Sequence, residues 1–176
     1  MVKSEIIKKG KEGCNMLKSI CKKMGVICLA LILVAGSAVQ PVKAAAGYQF
    51  KYKGVTVTMH SPAKNFLKKA GKAQKTKVKK SCAYKGKDRT YQYNDFIFYT
   101  YSKTAEGAEY VMGITFRTNK VATKEGVKIG SPETLVTKKY GKAKPKYGIY
   151  TYTKGKSKIQ FEVTNKKVSN IRYVTK

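Results

Sequence analysis

The chain predicts an α+β fold: two tandem β-α-β-β-β repeats whose strands join one antiparallel sheet, with the helices packed on one face. Three observations predict it. Residues 126–141, GVKIGSPETLVTKKYG, read as a short strand, a tight turn at Gly130 and a helix with start and stop signals. Residues 57–73 laid without a gap on residues 127–143 match at eight of 17 positions: Val57, Ser61, Pro62, Lys68, Lys69, Gly71, Lys72 and Ala73. Each helical segment is then succeeded by aromatic, period-two runs separated by short turns, the pattern of an antiparallel meander.

Residues 47–57 alternate polar and apolar side chains and predict a strand, or a hairpin turning at Lys53-Gly54. The first helix is expected from about Pro62 to Ala70, because Ala63, Phe66, Leu67 and Ala70 recur at i, i+3, i+4 and i+7. Residues 71–80, GKAQKTKVKK, read as a basic loop, and Ser81 to Tyr84 as the start of a strand before a turn at Lys85-Gly86-Lys87-Asp88. Tyr91-Gln92-Tyr93, the run from Phe96 to Tyr101, and the run from Tyr110 to Arg117 predict the first three-stranded meander.

The second half compresses this order. Val127-Lys128-Ile129 is the expected short strand. Ser131 is expected to cap a helix beginning at Pro132, whose missing N–H would be unpaired there in any residue. Val136 and Tyr140 take the positions of Phe66 and Ala70, Lys138 and Lys139 favour the last turn, and Gly141 supplies a left-handed C-terminal residue. Three strands close the chain, around Ile149 to Thr153, Ile159 to Val163 and Val168 to Val174.

Domain organisation starts with the N-terminus. Lys18, Lys22 and Lys23 precede the ten-residue apolar run from Val26 to Ala35. Val42-Lys43-Ala44 and Ala44-Ala45-Ala46 then offer small residues for cleavage. Residues 1–44 therefore read as an extension plus a secretory signal peptide, cut after Ala44 or Ala46, with translation from Met1 or Met16. The apolar run is shorter than the roughly 20 residues of a spanning helix. Residues 45–176 form one mature domain of two repeats, about 48–122 and 123–176. Three of the four cysteines (Cys14, Cys21 and Cys28) lie in the leader, so the mature part keeps only Cys82 and no intrachain disulfide is available to it. Cys82 reads as a small buried hydrophobe, against a reactive thiol beside Lys79 and Lys80.

Residues 126–141, their echo at 57–71 and the closing hairpin at 158–174 resemble the β-lactamase-inhibitor-protein-like fold, related to the SmpA/OmlA outer-membrane lipoprotein domain. More narrowly, the run from Ser81-Cys82-Ala83-Tyr84 to Tyr101, with residues 123–130, is similar to small secreted proteins and lipoproteins of Firmicutes without settled function. The resemblance spans nearly all of the mature chain and is carried by structural motifs. It implies one curved sheet whose concave side can grip a protein. No motif here matches a β-lactamase-contacting residue. The chain also departs from those relatives in lacking a lipid-attachment cysteine and in its basicity.

The chemistry of the side chains points to binding. His60 is the sole histidine and reads as a turn residue; the acidic residues are scattered, and no metal set, cofactor motif or phosphate loop is present in the sequence. Asp88 and Asp95, close across a hairpin, would permit paired-carboxylate chemistry, but both read as turn formers. The expectation is a non-enzymatic protein. Along the run from Phe96 to Tyr101, period two separates Ile97, Tyr99 and Tyr101 from Phe96, Phe98 and Thr100. One set packs under the helices. The other stays on the open side, joined by Tyr91 and Tyr93 or by Tyr150 and Tyr152, as a tyrosine-rich binding face; the competing reading is a second apolar layer under the N-terminal segment or a dimer partner. Residues 45–176 carry 30 Lys and Arg against 7 Asp and Glu, a difference of +23. Lys75, Lys77, Lys79 and Lys80 are the densest candidates for polyanion binding. The partner is expected to be an extracellular protein, or else an anionic envelope polymer: wall polymer, lipid headgroup or glycan. Export and the scarcity of arginine (Arg89, Arg117 and Arg172) argue against nucleic acid. The membrane is expected to be met only through the signal segment or surface charge.

Overall fold

A computed structural model describes residues 47–176; the signal-peptide reading, its three cysteines and both cleavage positions lie outside the described residues. The architecture is mostly antiparallel sheet with two helices among the described residues, an α+β class. In chain order the elements are β1 (Phe50–Tyr52), β2 (Val55–Val57), α1 (Lys64–Ala70), β3 (Lys75–Lys80), β4 (Lys87–Gln92), β5 (Phe96–Ser102), β6 (Glu109–Phe116), α2 (Glu133–Tyr140), β7 (Ile149–Lys154), β8 (Ser157–Thr164) and β9 (Lys167–Thr175). β1 and β2 form a separate hairpin. The other seven strands form one sheet in the order β3-β4-β5-β6-β9-β8-β7. β6 and β9 are its antiparallel seam, so the strands from before and after α2 join in a single sheet.

The β1–β2 turn lies where the sequence predicts it. Lys53 and Gly54 both have positive φ, 45° and 81°, as a two-residue hairpin requires. Phe50 from β1 is fully buried and meets Phe66, Phe96, Phe116 and Tyr173. Burying such a ring stabilises by about 1.5–3 kcal/mol, which ties the hairpin to helix and sheet together.

The helices obey the predicted apolar stripe. Ala63, Phe66 and Ala70 are buried, and Phe66 stacks on Phe98 at 4.4 Å between ring centroids. In α2 Val136 is buried, while Tyr140 packs on Tyr152 and Phe161. Pairing register places these contacts on one side of the sheet. Tyr91, Phe98, Ile114, Tyr173, Ile159 and Tyr152 stand directly opposite one another in a row across six strands.

Both helix starts are corrected by one residue or more. Ser131 does not cap α2; its hydroxyl accepts the Lys128 amide behind it at 3.0 Å. The reason is competition from the sheet. Pro132 is extended (ψ 146°) and bridges to Lys167, and the Glu133 amide donates to the Lys166 carbonyl at 3.0 Å. The start of α1 is built alike. Ser61 Oγ accepts the Thr58 amide at 3.2 Å, Pro62 bridges to Tyr110, and the Ala63 amide donates to the Glu109 carbonyl at 2.9 Å. Val111 and Val168 donate in the same way to the Ser61 and Ser131 carbonyls, each at 2.9 Å. His60 and Gly130 both have positive φ, 65° and 86°. At the far ends Gly71 and Gly141 have positive φ but extended ψ, −165° and 167°. That region is open almost only to glycine, so the requirement is stricter than the left-handed turn the sequence suggests.

Further corrections concern the strands. Residues 127–129 form no strand, and residues 81–84 bend rather than extend. The expected basic loop contains β3, which pairs along its whole length with β4, so the first half has four strands in the sheet and not three. β3 is hidden from hydropathy because it buries nothing: all six residues are exposed, and the strand is held by backbone pairing alone.

Candidate functional site

Four acidic groups, Asp95, Glu109, Glu125 and Glu133, are spent on internal structure. The Glu109 carboxylate accepts the Tyr91 hydroxyl at 2.9 and 3.1 Å and the Thr100 hydroxyl at 2.7 Å, and it lies 3.5 Å from the Arg89 guanidinium. Glu125 accepts the Tyr140 hydroxyl, and Glu133 that of Tyr150. Asp95 holds the β4–β5 corner by accepting from Thr118 Oγ at 2.7 Å. These environments raise the tyrosine pKa values. Burial, then the hydrogen bond to Glu109, keeps the Tyr91 phenol protonated well above its usual range. Burial and the bond to Glu125 do so for Tyr140, and burial and the charge of Glu125 for Tyr173.

Of the six tyrosines expected to line an open face, the structure moves four to the helix side. Tyr93, Tyr150 and Tyr152 are buried there and Tyr91 is half-buried. The Tyr93 hydroxyl donates to the Gly71 carbonyl at 3.2 Å and that of Tyr152 to Gly141 at 2.9 Å, so each anchors the end of a helix. Strand parity explains the correction for Tyr91, Tyr150 and Tyr152: in register they share the row of Phe98 or of Phe161, not that of Tyr99. Tyr99 does stand on the open side, with its ring beside Gly113, where an added Cβ would lie 3.5 Å from it. Tyr101 shares that side but is buried under Tyr84, stacked at 5.0 Å, and beside Tyr110 at 5.7 Å.

The open face is therefore polar and cationic. One row across the sheet reads Lys77, Thr90, Tyr99, Gly113, Val174, Lys158 and Thr153; the next reads Lys75, Gln92, Ile97, Thr115, Arg172, Gln160 and Thr151. Lys79 opens a third row with Asp88 and Tyr101. Of the predicted polyanion-binding lysines, Lys75, Lys77 and Lys79 thus share the open face, while Lys80 pairs with Lys87 on the other side. Lys158, from the lysine-rich run 154–158, and the isolated Arg172 join the face. Their sequence signal is the alternation of Lys158, Gln160 and Glu162 with the buried Ile159 and Phe161. Strands lie about 4.8 Å apart, so Lys77 and Lys158 stand roughly 24 Å from each other across the face. Only two ion pairs form among the described residues, Lys87–Glu106 and Arg89–Glu109, which leaves most of this charge uncompensated.

Two cavities lie near the β3–β4 end. One, of about 210 Å³, is lined by His60, Cys82, Tyr84, Asp88, Tyr101 and Met112 among others. Cys82 is exposed, not buried as expected, because residues 81–84 bend outward instead of entering the sheet. The His60 ring is turned to the Tyr101 hydroxyl (Nδ1 at 3.2 Å) and makes no hydrogen bond to Cys82 or Asp88, so no nucleophile–base pair is assembled. Asp88 and Asp95 occupy opposite ends of the β4–β5 hairpin, roughly 20 Å apart by strand rise, and are not a carboxylate pair. The second cavity, about 290 Å³, is lined by Val78, Lys79, Lys80, Lys85, Gly86, Lys87 and Ala105. No group of His, Cys, Asp and Glu able to hold a metal occurs among the described residues. No helix of the described residues is long and apolar enough to cross a membrane. No protein-family model, curated protein or solved structure matches the chain.

Proposed function

We propose that the protein is a secreted, non-enzymatic binding protein of the cell envelope that holds anionic polymers on its open sheet face. The observation that carries this reading is the placement of Lys75, Lys77 and Lys79 on one edge strand and Lys158 and Arg172 across the sheet, with a floor of Thr90, Gln92, Ile97, Tyr99, Gly113 and Thr115 between. A flexible polyanion laid across this face would meet lysines on the β3 edge, the Tyr99 ring, and then Arg172 on β9 and Lys158 on β8. Long-range attraction from a +23 surface would raise the rate of encounter. Binding to an extracellular protein through a tyrosine face, the other expectation from sequence, loses most of its support, since Tyr91, Tyr93, Tyr150 and Tyr152 serve the helix side.

We further read the scaffold as two copies of one unit, curved into a single wall. Matching hydrogen bonds at Ser61 and Ser131, matching bridges at Pro62 and Pro132, and matching anchors at Tyr93 and Tyr152 support it. Retention on envelope polymer, measured as salt is raised, tests the function. Full release at high salt is expected, with Lys75→Gln/Lys77→Gln/Lys79→Gln released at lower salt than wild type. Release from purified polymer at any salt, with salt-resistant retention on whole envelope that disappears in Tyr99→Ala, would instead favour a protein partner.

A further inference from the structure

We propose that the lysine-lined cavity at the β3–β4 end is a binding site for a phosphomonoester group. Lys80, Lys85 and Lys87 line a space of about 290 Å³ beside Val78, with Lys79, whose side chain leaves the opposite face of β3, at its edge. Lys80 and Lys87 stand directly opposite each other across two strands, where like charges destabilise a sheet. The one carboxylate paired with any of them is Glu106, 3.2 Å from Lys87, on a side chain 90% exposed. Such a pair is weak and easily displaced. An anion lodged among Lys80, Lys85 and Lys87 would relieve the repulsion between the opposed pair.

The cavity is built by a fixed loop and not by lysines meeting at random. A Cβ on Gly86 would come within 1.9 Å of the Ser102 carbonyl oxygen, so Gly86 lies flat against the end of β5. The Ser81 amide donates to the Gly86 carbonyl at 3.0 Å, and the Lys87 amide to Ser102 Oγ at 3.0 Å. Ser102 is fully buried. Lys85 and Lys87 therefore leave the backbone on either side of an immobilised glycine. The chemistry selects the ligand. Several ammonium groups suit a dianionic phosphate with three equivalent oxygens better than a carboxylate with two. Lysine, a point charge without a planar fork, does not demand bidentate geometry. Val78, 56% exposed, offers apolar surface to the carbon side of an ester. A free phosphate ester and a terminal or pendant phosphate on a polymer share this chemistry.

The inference deepens the polyanion reading but rests on Lys80, Lys85 and Lys87, which are outside the open-face set, so variants at Lys85 and Lys87 test it separately. Glycerol 3-phosphate, and acetate as a control, are titrated into the mature chain at about 0.15 M salt while backbone amide shifts are recorded. Saturable shifts at Lys85, Gly86 and Lys87 with the phosphate, absent with acetate, are expected. Lys85→Gln/Lys87→Gln should weaken binding by about tenfold or more, whereas Lys75→Gln/Lys77→Gln changes it less than about twofold. Unchanged melting of both variants shows that each is folded, and Lys85→Arg/Lys87→Arg, which keeps the charge, should retain binding. Non-saturable shifts, or equal losses in both Gln variants, overturn the site and leave only a diffuse field. Polymer retention that is as sensitive to Lys85→Gln/Lys87→Gln as to Lys75→Gln/Lys77→Gln assigns the phosphate to the polymer; retention insensitive to it assigns a free ester. Saturable phosphate binding without polymer retention would sink the envelope reading alone.

Discussion

The entry to α1 and the entry to α2 make the same hydrogen bonds from different residues. Serine accepts a backward amide, proline bridges to a strand, and a residue of positive φ precedes them in both. Beyond the helices the two halves diverge. After α2 the chain reaches β7 and a three-stranded meander. After α1 it first lays down β3 and the loop at 81–86, which have no counterpart. That extra hairpin arm is fully exposed along β3 and carries four lysines in six residues. The shared parts are held by burial and tyrosine anchors, while the unshared part contributes charge and a cavity but little core. The difference separates scaffold from candidate function within one sheet.

The buried contacts of the two helices carry the largest expected effects. Phe66→Ala removes a ring packed on Phe50, Phe96 and Phe98 and should cost about 3–5 kcal/mol in urea unfolding. Val136→Ala, at the equivalent place in α2, should cost about 2 kcal/mol. Equal costs would mean that α1 and α2 do not bear on the sheet in proportion to what they bury. A second test is alkaline. Tyr91 before α2 and Tyr140 within it both have raised pKa values when folded. Their protonated forms stabilise the fold fully below the unfolded tyrosine value near 10, and that contribution is lost as pH rises from there toward the folded values. The melting temperature should therefore be flat through neutral pH with respect to these groups and fall above about pH 10, less steeply in Tyr140→Phe. A fall that is as steep in that variant would remove Tyr140 from the account. The smallest effects are the sharpest for symmetry. Tyr93→Phe and Tyr152→Phe each delete one hydroxyl donating to a helix-end glycine, and each should cost about 1 kcal/mol. A cost at only one of them would show that the two anchors are alike in geometry and unlike in energy.

Several elements are legible because their causes are local. Alternation marks β5, β8 and β9; Lys53-Gly54 marks a turn that needs two positive φ values; the stripe from Ala63 to Ala70 marks α1. The helix starts are misplaced by local rules because amides expected to meet serine hydroxyls meet distant backbone carbonyls instead, at Glu109 in β6 and Lys166 in the β8–β9 turn. Those partners lie more than 30 residues away in the chain, and no local rule ranks them. The candidate site is half legible. Lys75, Lys77 and Lys79 stand out by density, but Lys158 and Arg172 join them only through the β6–β9 seam.

By itself the amino-acid sequence determined the antiparallel α+β character, the presence of the two helices and the excess positive charge, because periodicity, turn chemistry and composition act within a few residues. Tertiary structure alone decided which side each tyrosine faces, that a strand of exposed lysines exists, and which cations share a face. A β-bulge shows why: Tyr99 pairs with Gly113 but Thr100 with Val111, so one extra residue resets which side chains lie level along the rest of the pair. Lateral pairing of distant strands sets that register, and a strand's sequence does not record its neighbours.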